Sequence, residues 1–517
     1  MGASATALFA LGPALAQAPP PAPPAGPPPV QPFGYDDVVR RAQERAQRPY
    51  DPAPPALPEE LQNLSFDQFR DIRFRGDRAL LGTGGSPFRM QMFHLGFLFR
   101  RPVVVNIVRD GIATPVPYSP GLFDYGATKF SRPLPVDLGF AGFRLHYPLN
   151  DPRVSDELIS FLGASYFRFL GRNQRYGISA RGVAIDSGGP NPEEFPVFRE
   201  FWVEMPVGNA RSATIYALLE GPSLTGAYRF VIYPEAETVL DVVVTLFIRR
   251  PIAKLGIAPL TSMFQYAEND RRHFDNFRPE VHDSDGLLVH LSTGEWVWRP
   301  LRNPIRPGGA MFLDSNVRGL GLLQRDRLFE HYQDLDLAYE RRPGYWVEPH
   351  NGWGEGRVEL VELPTEDETN DNIVAFWVPK GPIEAGQRLN FGYRVRALSS
   401  EARLHPGGRA INTYQTRAAA LGSSEQVAPG SRRFIIDFAG GELPYYLADP
   451  SAVTLVPSAS SGQITKTFLV PNPKIGGFRV GIDFQAEAGK PADLRAFLRA
   501  GDRALTETWT FPWLWEG

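Results

Sequence analysis

From Phe88 onward the chain consists of short runs of β-branched and aromatic residues, each stopped by Gly, Pro, Asp or Asn: VVVNIVRDG, ATIYALLEG, YRFVIYP, VLDVVVTLFI, RVELVELP, NIVAFWVP and QRLNFGYRVRAL. Runs of this length read as strands, because such side chains pack well on a pleated surface while the punctuating residues close the turns. The chain is therefore expected to build a large antiparallel all-β assembly. Its 35 Phe, 18 Tyr and 9 Trp, with 50 Gly and 50 Pro, suit many strands and turns better than helical bundles. At 517 residues it exceeds what one hydrophobic core usually fills, so two domains are expected. The stretch Ser399 to Gly430 is poor in strand runs, which places the boundary near its start. After it come FIIDFAG, AVTLVP, TKTFLVP, FRVGIDFQA, LRAFLRAG and ALTETWTF. Their count and spacing fit a small immunoglobulin-like sandwich, here without cysteines for the antibody-type bridge.

The segment before these strands reads differently. Residues 1–18 include ASATALFALGPALAQA, a short apolar run ending in the small-x-small pattern of a signal peptidase site, but without the basic start of a complete signal peptide. A truncated signal peptide and export are expected. Residues 19–32 form a proline-rich linker, extended and unable to pack a core. Tyr35 to Arg48 then places Val38, Val39, Ala42 and Ala46 at helical spacing behind the capping candidate Asp36, with Pro49 as the stop. No later run reaches the roughly 20 apolar residues that span a bilayer, so the mature chain is expected to lack a transmembrane segment. A formal net charge of −3 offers no basic field for a polyanion, which argues against nucleic acid as a partner.

Two acidic loops stand out as chemistry: PEVHDSDG (279–286), containing Asp283, and TEDETNDN (365–372), containing Glu368 and Asp371. Two carboxylates from distant segments can serve as general acid and general base, as glycosidic cleavage requires. Each loop alone is better explained as a solvated turn or charge run, because Asp and Ser cap amides and Gly takes positive φ. Crowding among Glu366, Asp367, Glu368 and Asp371 would raise their pKa values if that loop lined a closed cleft. Aromatic residues follow in the neighbouring sequence, including Trp296, Trp298, Tyr332, Tyr339, Trp346 and Trp353. Their rings could stack on sugars or simply fill a core. The eight histidines show no metal-ligand spacing, the first loop lacks a calcium-site pattern, and no metal or cofactor is expected. GxSxG, P-loop and dinucleotide motifs are absent.

Longer motifs narrow the field. DQFRDIRF (67–74), FHLGFLF (93–99), DLGFAGFRLHYPLN (137–150), FLGASYFRFLG (161–171), TGAYRFVIYP (225–234), FRPEVHDSDGL (277–287) and WVEPHNGWGEGRVELVELPT (346–365) closely resemble the periplasmic glucan biosynthesis protein G/D family. The resemblance extends over residues 33–515 and is weaker toward the carboxy terminus. It implies a galactose-mutarotase-like β-sandwich over 33–398 that acts on glucan, a short helical linker over 399–408 and an immunoglobulin-like domain over 409–517. It further implies periplasmic action on a β-1,2-linked glucan backbone. An anomer-inverting endo-β-1,2-glucanase is the first expectation, with a transglycosylase or a non-catalytic assembly factor contacting a membrane glucan synthase as alternatives. By similarity, Asp283 takes the place of the general base and Asp371 that of the general acid, while Tyr339, Glu368, Trp346 and Arg278 are candidates for holding substrate.

Overall fold

The run VLDVVVTLFI forms the strand Val239–Ile248, and its near-continuous apolar character follows from having both faces covered. Leu240, Val242 and Leu246 are fully buried on one face, in the main core. On the other face Phe247 packs with Trp202, Tyr216 and Ala227 beneath the helix Tyr35–Ala46, which buries Val38 and Ala42 there. The helix is the one expected from the sequence, with a different cap. Gly34 is the N-cap, and the Asp37 carboxylate, rather than Asp36, accepts the Gly34 amide at 2.9 Å.

The structure is a computed structural model that describes residues 1–2, 32–52, 57–271, 274–419 and 427–515. The expected leader and nearly all of the proline tract lie outside the described residues. Among those described, no helix is long and apolar enough to cross a membrane.

Two large sheets dominate, so the molecule is an all-β sandwich. The ten-stranded sheet runs from Arg89–Phe93 through Gly142–Tyr147, Asp156–Leu162, Tyr166–Phe169, Ser179–Arg181, Leu255–Ser262 and Ile373–Pro379 to Gly356–Glu362 and Gly308–Asp314. The fifteen-stranded sheet contains Val197–Glu204, Ala213–Glu220, Leu224–Tyr233, Val239–Ile248 and Arg388–Leu398 in its middle. Phenylalanines interdigitate between the two: Phe143 and Phe161 meet Phe201 at 5.1 and 5.2 Å, and Phe167 meets Phe230 at 5.2 Å. Offset and edge-on ring pairs at these separations are favourable beyond their buried area.

Every strand run named from the sequence becomes a strand, and the long strand Arg388–Leu398 ends where the boundary was expected. Residues 399–408 contain turns but no helix. Beyond them a four-stranded sheet, Arg409–Arg417, Ser431–Ala439, Gly477–Gln485 and Gln463–Asn472, packs Phe434 against Trp509 and Phe511. The strands opposite it are not independent of the large sandwich. Thr508–Trp513 pairs in parallel with Trp296–Pro300, joining the carboxy-terminal strands to the fifteen-stranded sheet, and the described residues from Phe33 onward form one compact unit.

Candidate active site

Both acidic loops are anchored to one stretch of backbone, Ser262-Met263-Phe264, where the strand Leu255–Ser262 gives way to Phe264–Tyr266. On one edge, the Asp283 amide donates to the Met263 carbonyl at 2.8 Å, and the Ser284 and Ser262 hydroxyls share a 2.8 Å bond. On the other, Ser262 pairs with Ile373. The Asn372 side chain accepts from the Phe264 amide at 2.8 Å and donates to its carbonyl at 3.0 Å. The HDSDG and ETNDN loops thus flank a single strand. Two strand spacings separate their backbones, ~10 Å, which suits carboxyl groups facing one another across a substrate.

Asp283 is buried, at 4% exposure, and its Oδ1 accepts from the Arg342 guanidinium. That guanidinium lies flat over the Tyr339 ring, 3.6 Å from its centroid. Gly177 makes room for the pair: a Cβ there would stand 2.6 Å from Arg342 Cδ and 3.1 Å from Asp283 Cγ. Burial pulls the Arg342 guanidinium down to about 9, against the opposing pull of Glu368 and Asp371. Tyr339 is also buried, and its hydroxyl donates to Glu368 Oε2 at 2.7 Å. Burial first, then the Glu368 carboxylate, pushes that hydroxyl well above the usual tyrosine range. Arg278 completes the chain, ion-paired to Glu368 at 2.8 Å and to Asp334 at 3.0 Å.

Asp371 occupies a different setting. Its side chain is 30% exposed, opens into a cleft of about 580 Å³ shared with Tyr166, Arg168 and Tyr176, and lies 3.9 Å from the Arg168 guanidinium. Burial raises its pKa, overriding the cations of Arg168, Arg181 and Arg342. Charge crowding, the cause expected from the sequence, does not operate: no carboxylate contributes to the shift, and the Thr369 amide holds Asp367 below its ordinary value. A carboxyl inclined to keep its proton and a carboxylate paired with a cation are the two states that acid–base cleavage needs.

Of the expected substrate-binding residues, Tyr339, Glu368 and Arg278 come together in this chain of contacts. Trp346 does not. It is 2% exposed, stacks on Trp296 at 5.6 Å and belongs to the core of the carboxy-terminal part, so its ring faces no cleft. Arg278 is committed to Glu368 and Asp334, and the cation beside Asp283 is Arg342, which was not anticipated. Asp285 is structural, its Oδ2 accepting the Arg325 and Asp326 amides. His282 bridges Glu280 at 3.1 Å and Gln324 at 3.0 Å. Burial alone would lower its pKa, but Asp285 and Glu280 carry it to about 9. Among the described residues Glu280, Asp326 and His331 bring ligand-type atoms within 4.8 Å of one another. Those atoms already bond within the protein, His331 to Asp326 and Glu280 to His282, so the group reads as a hydrogen-bonded cluster.

Comparison with known proteins adds a family. The family model described as periplasmic glucan biosynthesis protein, MdoG, matches residues 33–513. Glucans biosynthesis protein G of Ralstonia nicotianae is 45% identical over 486 residues, covering 93% of this chain and 95% of that protein. Probable glucans biosynthesis protein D of Shewanella oneidensis is 44% identical, covering 88% of this chain and 84% of that protein. Glucans biosynthesis protein D of Xanthomonas campestris pv. campestris is also 44% identical, covering 93% and 90%.

Proposed function

Since this chain belongs to the periplasmic glucan biosynthesis protein family, we propose that it acts in the periplasm on a β-1,2-linked glucan backbone, as an anomer-inverting endo-β-1,2-glucanase. The observation that carries this reading is the placement of Asp283 and Asp371 on either side of Ser262–Phe264, Asp283 buried against Arg342 and Asp371 opening into the neighbouring cleft.

In this mechanism Asp371 enters protonated and gives its proton to the glycosidic oxygen as the C1–O bond breaks. Asp283 enters as a carboxylate and takes a proton, directly or through a substrate hydroxyl, from the water whose oxygen forms the new bond to C1. Attack from the face opposite the leaving group inverts the anomer. Arg342 supplies the counter-charge to Asp283. Glu368, held by Tyr339 and Arg278, offers its remaining acceptor capacity to sugar hydroxyls.

Purified protein incubated with linear β-1,2-glucan is expected to generate new reducing ends and shorter products by mass spectrometry. NMR should detect the α-anomer first. Asp283→Asn and Asp371→Asn should each lower the rate by about 10²–10⁴-fold, the contribution usual for a positioned acid or base. Undiminished activity in either variant removes that residue from the mechanism. Glucan consumed without new reducing ends would make the protein a transglycosylase, and saturable binding with no change in product size would make it an assembly factor.

A further inference from the structure

Behind the HDSDG loop lies a buried cluster of polar groups whose protons can be placed by elimination. Gln324, 4% exposed, is at its centre. Its side-chain nitrogen lies 3.1 Å from the His282 carbonyl, 3.3 Å from the Tyr339 carbonyl and 2.9 Å from the Tyr332 hydroxyl. The two carbonyls can only accept, so the nitrogen end of the amide faces them and Oε1 faces the His282 ring. Nδ1 of His282, 3.0 Å from that oxygen, is therefore a donor. Nε2 lies 3.1 Å from Glu280 Oε2, and a carboxylate there calls for a donor as well. A neutral imidazole has one N–H, so a ring that donates from both nitrogens is an imidazolium.

The surroundings favour that charge. Asp285 Oδ1 stands 3.5 Å from Nδ1, on the side opposite Glu280. Further charges on the cluster come from Glu268, Asp326, His331, Arg327 and Glu401. Burial first, then the charge of Glu280, lifts Glu268 to about 8, so Glu268 keeps its proton at neutral pH and Glu280 is left as the carboxylate. Burial opposes a charge on His282, but Asp285 and Glu280 carry the ring to about 9.

The same groups reach each part of the proposed site. His282 immediately precedes Asp283, and its ring lies on Phe264 with centroids 5.5 Å apart, the residue whose backbone Asn372 clamps. Tyr332 packs edge-on to His282 at 5.3 Å and stacks on Tyr339 at 5.8 Å. Gln324 ties the backbone before Asp283 to the backbone of Tyr339, whose ring carries Arg342 and whose hydroxyl holds Glu368.

We propose that His282, held as an imidazolium between Glu280 and Asp285, and Gln324, oriented by it, are positioning residues that fix the HDSDG loop against Tyr339. Both are buried, so they act through Asp283 and Tyr339 rather than on substrate. This role rests on Asp283 acting as the base.

The charge is read by long-range ¹H–¹⁵N spectra of histidine-labelled protein at about pH 8, where an ordinary histidine is neutral. His331→Gln first removes the histidine that, against burial, Asp326 also favours charged. One imidazolium pattern is expected to remain, and to disappear when Glu280→Gln is added. Its absence, or its survival in Glu280→Gln, overturns the charged clamp. The positioning is read by kinetics. Gln324→Glu keeps an acceptor for the imidazolium but cannot donate to the two carbonyls, and Gln324→Met loses both functions at similar size. Each is expected to lower kcat on linear β-1,2-glucan about 10–100-fold, with KM changed less than about twofold and a cooperative thermal transition retained. Wild-type kcat in a folded Gln324 variant overturns the positioning role and leaves the proposed function standing. A wild-type protein that shows the imidazolium but cleaves no glucan overturns the proposed function, and the positioning role with it.

Discussion

At the scale of single residues, the site depends on one arginine facing two acids. Arg342 bonds to Asp283 and its charge also reaches Asp371. A neighbouring cation favours the ionised form of a carboxyl, so removing it lets both groups keep their protons to higher pH. Arg342→Met is therefore expected to move the acidic limb of the pH–rate profile upward, because Asp283, the proposed base, must still lose its proton. The basic limb should move the same way, because Asp371, the proposed acid, keeps its proton longer, with shifts on the order of one pH unit. Arg342→Lys should restore much of both limbs. A profile lowered in height but unmoved in pH would make the arginine merely structural. The loops that carry Asp283 and Asp371 stood out in the sequence as two clusters of carboxylates, and the resemblance alone gave each residue its proposed role. Arg342 did not stand out, since RRPG carries no signal of what its guanidinium meets once Tyr339 and Asp283 are folded against it. Trp346 misled for the converse reason: an aromatic residue near acidic loops in sequence looks the same whether its ring lines a cleft or fills a core. Tyr166 and Arg168 could have been found from alternation alone, because Phe167 and Phe169 claim the core.

At the scale of elements, the hydrophobic runs identified the strands, but the device that brings the acids together is a side chain imitating a strand. Asn372, 2% exposed, accepts from the Phe264 amide and donates to the carbonyls of Phe264 and Leu363 at 3.0 and 2.9 Å. It thereby satisfies backbone groups that no neighbouring strand reaches. Asn372→Ala leaves them buried and unpaired, a cost of about 1–3 kcal/mol for each group left unsatisfied. It should lower the melting temperature and, by freeing the Asp371 loop, reduce kcat more than it raises KM. Asn372→Asp should be worse, since a carboxylate accepts from the amide but cannot donate to the two carbonyls. Equal stability of the Asp and Asn forms would show that the clamp is not what holds the loop. Sequence alone gave no access to this role, because Asn in a turn is ordinarily explained by its own local backbone.

At the scale of the whole molecule, the composition suggested two domains in series, whereas the hydrogen bonding joins them. The parallel pairing of Val297 with Thr508 and Trp298 with Trp509 joins segments about 210 residues apart, a long-range match that no local periodicity reports. Trp298, Leu288 and Trp346 are buried in one cluster with Phe434 and Trp509. Arg325, stacked 3.5 Å from the Trp298 centroid, ion-pairs with Glu401 and Glu507 beyond the boundary. Its backbone amide binds Asp285, two residues from Asp283, so the carboxy-terminal strands support the HDSDG loop from behind. A chain of residues 33–398 would lose both carboxylate partners of Arg325 and uncover the two tryptophans. An aromatic side chain burying about 150–250 Å² contributes roughly 4–6 kcal/mol at ~25 cal/mol per Å². Two such rings and an unpaired buried cation, at about 3–5 kcal/mol, together come to roughly 11–17 kcal/mol, comparable to the whole of the roughly 5–15 kcal/mol by which a typical fold is stable. The fragment is therefore expected to show no cooperative thermal transition and to self-associate on size-exclusion chromatography. A monomeric fragment with a sharp transition and native near-ultraviolet dichroism would show instead that the large sandwich stands alone and that the shared sheet is only a contact between two independent domains.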